Sequence, residues 1–251
     1  MRRLLSILGL AAALALTTGG AALADFVGTP ASETLTGTVG PDQMFGEAGD
    51  DTLLGLAGND YIEAGPGNDA VDAADGVDLV IGGTGDDQIT LGPGSDVTYA
   101  GPGADRIAGD GGNDEIFGQA GDDTITGGTG NDAIFSGVGA DNVDGGPGRD
   151  VIRSDGDGAV LAGGSGNDQI FARGIGVQAA GGAGNDTIVT GPGADRIAGG
   201  PGVDSISSGD GNDQIDVRDG RRDSVNCGGG VDRVRADAKD SLTACETINR
   251  R

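Results

Sequence analysis

One nine-residue phrase repeats through about three quarters of the chain, and no other feature limits the fold so strongly. Cut every nine residues from Gly28, the sequence stays in frame to Asp216 without insertion or deletion, giving 21 repeats. The sixth position is Asp in 18 of them, with Glu33, Ala159 and Val177 as exceptions. The fourth is Gly in 18, with Ala31, Asp157 and Ile175 departing, and the eighth is apolar in all but Thr98. Gly and Pro together reach 62 of 251 residues, a level that otherwise suggests disorder, but disordered chains do not hold a frame this strictly. Glycines at the first, second and fourth positions permit positive φ and tight turning. Asn or Asp at the fifth tolerates left-handed backbone better than most residues. The first six positions therefore predict a turn. The last three predict a minimal strand with one inward side chain, as at Ile125, Ile134 and Val143. Two phrases make one coil of a flattened solenoid, so stacked coils give two parallel sheets around a thin aliphatic core. The expectation is an all-β solenoid of about ten coils, roughly 50 Å long.

Charge decides what such a rod needs. There are 40 acidic residues against 15 basic ones, and no His. The missing imidazole excludes a His base and His-ligated zinc or haem. The acidity turns away nucleic acid and anionic membranes and attracts cations. Sixth-position aspartates stacked at about 4.8 Å repel their neighbours by about 3.5 kcal/mol each at an effective dielectric near 20. The thin core is expected to fold marginally or not at all without a counter-ion. Carboxylates and exposed glycine carbonyls are hard oxygen ligands, which suit Ca²⁺ better than Mg²⁺, zinc or copper.

The phrase Gly-Gly-x-Gly-Asn/Asp-Asp-x-apolar-x is clearest at residues 82–90, 127–135, 163–171 and 181–189. It resembles the repeats-in-toxin (RTX) nonapeptide, the haemolysin-type calcium-binding repeat. The resemblance covers residues 28–216 and, loosely, the chain up to about Leu242. It implies a right-handed parallel β-roll with Ca²⁺ between successive turns on each edge. It also implies that the sixth-position carboxylate is a ligand and that turn carbonyls supply the rest. Many members of the family leave the cell by a C-terminal signal and carry a catalytic or pore-forming domain; neither feature is apparent in these 251 residues. No lone constellation of chemistry-bearing residues interrupts the periodic carboxylates, so no catalysis is expected. The alternative is an accessory or non-catalytic remnant of a secreted toxin or hydrolase.

Alternate repeats share an edge of the roll, which makes the two edges unlike. One carries Asp42, Asp60, Asp78, Asp96, Asp114, Asp132, Asp150, Asp168, Asp186 and Asp204 without a gap. The other runs Glu33, Asp51, Asp69, Asp87, Asp105, Asp123 and Asp141, then Ala159 and Val177, then Asp195 and Asp213. With one ion between adjacent aspartates, the first edge offers nine sites and the second six, and a calcium-free window falls around residues 154–180. Outward seventh and ninth positions place Phe45, Tyr61, Tyr99, Phe117, Phe135 and Phe171 on one sheet. This stripe is a candidate contact face for a second roll or a cell-surface partner; scattered surface apolar residues are the ordinary alternative.

The ends read differently. Arg2 and Arg3, the apolar run 4–16 and the small residues Ala22 and Ala24 predict a cleaved signal peptide over 1–24 and an exported roll over 25–216. The apolar run is short for a membrane anchor, so no membrane span is expected in the mature chain. That chain would carry 13 basic and 40 acidic residues, a net charge of −27, close to the +30 of fifteen calcium ions. After Asp216 the frame slips, and residues 217–251 read as degenerate repeats forming a cap, with Asp223, Asp232 and Asp240 each opening an Asp-x-apolar triplet. Cys227 and Cys245 lie in this cap. An even pair in an exported chain favours a disulfide; two free buried thiols are the alternative.

Overall fold

The computed structural model describes residues 23–250. The predicted leader lies outside the described residues except for Leu23 and Ala24, and Ala24 opens the first strand, Ala24–Val27. Among the described residues every regular element is a strand. Strands alternate along the chain between two 13-stranded parallel sheets, which form a parallel β-roll about 60 Å long at normal strand spacing. Adjacent strands are offset by one coil of 18 residues, as in Ile107 beside Ile125 and Ile116 beside Ile134. The ladder begins before Gly28 and continues after Asp216, so it holds more than the ten coils expected. Ser224–Asn226 and Ser241–Thr243 extend the first sheet; Arg233–Ala236 and Thr247–Arg250 extend the second.

Three inward rows fill the interior, where the sequence suggested one. The eighth-position aliphatics are almost fully buried, among them Leu53, Ile62, Ile116, Ile134 and Ile170. The sixth-position aspartates are buried just as deeply. The first position also faces inward, as Ala64, Leu91, Ala100 and Ser136 show. Phe26, the one aromatic off the outer stripe, packs against the same core. The turn assignment needs correction as well. Positive φ falls at the second and fourth positions, and non-glycine residues adopt it at the second: Glu47, Leu56, Ala74, Asp110 and Gln119. The fifth-position Asn and Asp residues stay right-handed. Their side chains instead accept a hydrogen bond from the backbone one coil later, as Asn113 does from the Asn131 amide at 2.7 Å.

Close coil stacking explains the strict fourth glycine. Gly112 has φ +140°, and a Cβ there would collide with the carbonyl oxygen of Gly94 in the preceding coil. Gly176 also has positive φ, +70°, but a Cβ would meet nothing within 4 Å. Gly112→Ala should prevent the coils from closing and cost more than about 3 kcal/mol, whereas Gly176→Ala should cost about 1 kcal/mol of backbone strain. Thermal unfolding of the two variants in saturating calcium checks this; equal losses contradict it.

Candidate metal centre

The sixth position sits where a turn enters a strand, with its side chain directed inward between coils. There each carboxylate treats its two oxygens differently. One accepts a hydrogen bond from the sixth-position amide of the preceding coil. Asp60 N–H donates to Asp78 Oδ1 at 2.8 Å, and Asp78 N–H donates to Asp96 Oδ1 at 2.7 Å. On the complete edge this chain of bonds runs from Asp42 through Asp60, Asp78, Asp96, Asp114, Asp132, Asp150, Asp168, Asp186 and Asp204. On the other edge it links Glu33, Asp51, Asp69, Asp87, Asp105, Asp123 and Asp141, stops, and resumes from Val177 through Asp195 to Asp213.

Both chains of bonds run into the tail. Asp204 is followed by Asp223 and Asp240; Asp213 is followed by Asp232 and Glu246. Asp223, Asp232 and Asp240 are buried like the regular rungs. Their Asp-x-apolar triplets signalled this despite the slipped frame; Glu246 gave no such signal. Cys227 and Cys245 are bridged, and the buried Cys227 continues the inward row beside these rungs.

At Asp42 and Asp240 the second oxygen accepts a nearby amide, from Thr38 and Asp237; at the other aspartate rungs it has no protein partner. Nineteen aspartates, all in the two rows, hold a buried Oδ2 without a hydrogen bond. Leaving one buried polar group unsatisfied costs about 1–3 kcal/mol, and more when it is charged. The orphaned oxygens lie beside backbone carbonyls. A Cβ built on Gly127 would lie 2.6 Å from both Asp132 Oδ2 and Gly145 O. One built on Gly82 would lie 2.7 Å from Asp87 Oδ2 and 2.5 Å from Ala100 O. The absent side chain thus leaves a cradle bordered by a carboxylate from one coil and a carbonyl from the next. Among the described residues, no three acidic or Cys side chains gather at one point, so such a site draws on main-chain oxygens as well as carboxylates. That mixed, all-oxygen donor set fits a hard divalent cation.

Burial pushes the carboxyl groups of Asp78, Asp87, Asp114, Asp123 and Asp150 up to about 7, with the backbone hydrogen bond opposing and neighbouring aspartates adding to the rise. Asp60, Asp96 and Asp204 are pushed up to about 6, again mainly by burial.

The repeat itself matches the model of the RTX calcium-binding nonapeptide repeat over residues 27–62, 45–80, 63–98, 72–107, 99–134, 118–152, 154–174 and 180–215. The chain belongs to the RTX calcium-binding repeat family. No curated protein matches it. In this RTX chain the repeats make a calcium-binding structural module, and the buried aspartates recur at the repeat period. Among the described residues no helix is long and apolar enough to cross a membrane.

The six outer aromatics lie on the first sheet, and some are neighbours. Tyr99, Phe117 and Phe135 stack face to face at 4.7 and 4.8 Å between ring centroids. The guanidinium of Arg153 continues the column, 5.4 Å from the rings of both Phe135 and Phe171. Phe45 and Tyr61 form a separate tilted pair.

The raised carboxyl groups give a pH dependence with a definite sign. Between about pH 4 and 7 the metal-free roll holds protons that the unfolded chain has released. Its stability is therefore greatest at the acidic end and falls as pH rises through 6–7. Calcium-free protein should show more β-structure by circular dichroism at pH 5 than at pH 7.5, while calcium binding weakens on acidification because protons compete for the same oxygens. Equal spectra at both pH values contradict this.

Proposed function

We propose that this chain is an exported calcium-binding roll that folds on meeting extracellular calcium and then serves as a structural or surface-contact module without catalysis. The observation that carries the reading is the row of nineteen buried, unpartnered carboxylate oxygens. A folded protein rarely retains that many, and a cation in each cradle answers all of them in one way. The bound ion supplies positive charge and a shared oxygen shell. The chain supplies register, through the Oδ1 bonds, and close coil approach, through the turn glycines. Eighteen sixth-position aspartates, from Asp42 to Asp213, are the proposed ligands, with about fifteen ions between them; Asp223, Asp232 and Asp240 would add to that number. Export rests on the leader-like residues 1–24 and agrees with sites of modest affinity, on the order of 10⁻⁴–10⁻³ M, which extracellular calcium fills.

At pH 7.5, residues 25–251 in chelator should give a coil-like spectrum that becomes β-rich as calcium is added through the millimolar range, with uptake of about fifteen ions by equilibrium dialysis. Full β-structure in the absence of calcium at that pH overturns the reading.

The stacked column favours a use for the outer face. Its rings cover one another's faces yet remain only half-buried, leaving a continuous aromatic ridge on the outer face of the first sheet. A second copy is the proposed occupant, with a cell-surface partner as the other outcome. The double variant Phe117→Ser and Phe135→Ser should then sediment as a monomer where the parent associates, with calcium uptake unchanged. Association that survives both changes removes the role.

A further inference from the structure

Two turns on the interrupted edge do not fit the cation at all. Ala159 and Val177 occupy the carboxylate row and are completely buried, so the row has an apolar step two coils deep. Their turns are also built differently. Regular repeats place glycine at the second and fourth positions; here glycines stand at the third and fifth, Gly156 and Gly158 in one turn and Gly174 and Gly176 in the next. Positive φ moves with them, to Gly158 and Gly176. The backbone of the turn is therefore altered along with its carboxylate.

The bonds between coils continue through these turns, displaced by the same one residue. The Ile175 amide donates to Asp157 Oδ1 at 2.9 Å, and the Gly158 amide donates to Ile175 O at 2.9 Å. Arg173 pairs with Asp155 across the same two coils at 3.4 Å. Positive charge is scarce in this roll. Residues 25–216 hold five arginines, Arg106, Arg149, Arg153, Arg173 and Arg196, and no lysine. Two of the five belong to these coils: Arg173 in the turn, and Arg153 between the Phe135 and Phe171 rings directly before the first altered turn. The family match also breaks here, at residue 153 and over 175–179.

We infer that turns 154–158 and 172–176 form a metal-free joint, which takes up no ion when the rest of the roll is loaded and divides the ions of this edge into two ladders. One ladder runs from Asp51 to Asp141 and the other from Asp195 through Asp232 to Glu246. The opposite edge, whose Asp150, Asp168 and Asp186 pass behind the joint, stays continuous. The inference rests on calcium being the ligand of the regular turns.

Anomalous diffraction from residues 25–251 crystallised in saturating calcium reads each turn separately. Calcium density should appear at turns 118–122 and 208–212, which lead into Asp123 and Asp213, and be absent from turns 154–158 and 172–176. Density at all four turns overturns the joint and leaves the calcium reading standing. No density at any turn overturns the calcium reading and the joint with it. Val177→Asp supplies a second measurement. With its glycines displaced by one residue, the turn should bind no extra ion, so metal analysis should return the parental calcium count. A gain of one ion overturns the joint.

Discussion

From Asp51 to Asp213, each sixth-position aspartate divides its carboxylate between two tasks. One oxygen is held by an amide in the preceding coil, which fixes the spacing and register of the ladder. The other is buried without a partner, which makes the same ladder unstable while it is charged and empty. Order and instability come from one residue. In an isolated aspartate this would be a local defect, but repeated along both edges it makes the fold conditional. Protons relieve it from the acidic side by neutralising the carboxyl groups. A divalent cation relieves it at neutral pH and joins two coils in doing so. The aliphatic core sets the shape, but about one large inward aliphatic per nine residues, with mostly small residues in the first-position row, is too thin to override the carboxylates.

Much of this was legible in the amino-acid sequence, because a strict period converts position into geometry. The eighth-position aliphatics, the stacking of the aspartates along each edge and the two unlike edges all follow from counting in nines and eighteens. The first position did not announce itself. It is Gly in many repeats and Ala, Ser, Thr or Leu in others, so no hydrophobic signal accumulates, although the row is as buried as its neighbours. The fifth position misled for a different reason. Asn and Asp do favour left-handed backbone in general, but here their side chains bond along the stack, and the strained conformation falls to Glu47, Leu56 and Ala74 at the second position. In the tail, Asp223, Asp232 and Asp240 kept the triplet that marks a rung, while Glu246 reaches the same row from a coil of altered length and could be found only in three dimensions.

The joint around Ala159 and Val177 shows that the loss of a ligand was not an isolated substitution. The carboxylate, the glycine register and the local charge all differ together, and the arginines lie where cationic charge is otherwise missing. The aromatic column crosses the same region on the outer face of the first sheet. Side-chain stacking there adds contacts between strands that the paired coils already hold at the right spacing. The rod thus combines two kinds of cohesion, one along its edges made through carboxylates and one along a face made through rings.

The eighteen-residue offset between paired strands has a consequence for how such a chain can change its length. Copying one whole coil inserts a storey and leaves every later side chain on its original side. Copying a single phrase would look equally harmless in the repeat pattern, yet it would exchange the two sheets for everything downstream. The aromatic ridge would then break and reappear on the opposite wall, and the two interrupted turns would move to the other edge. Growth of this molecule is therefore restricted to even numbers of phrases wherever its two faces must stay distinct.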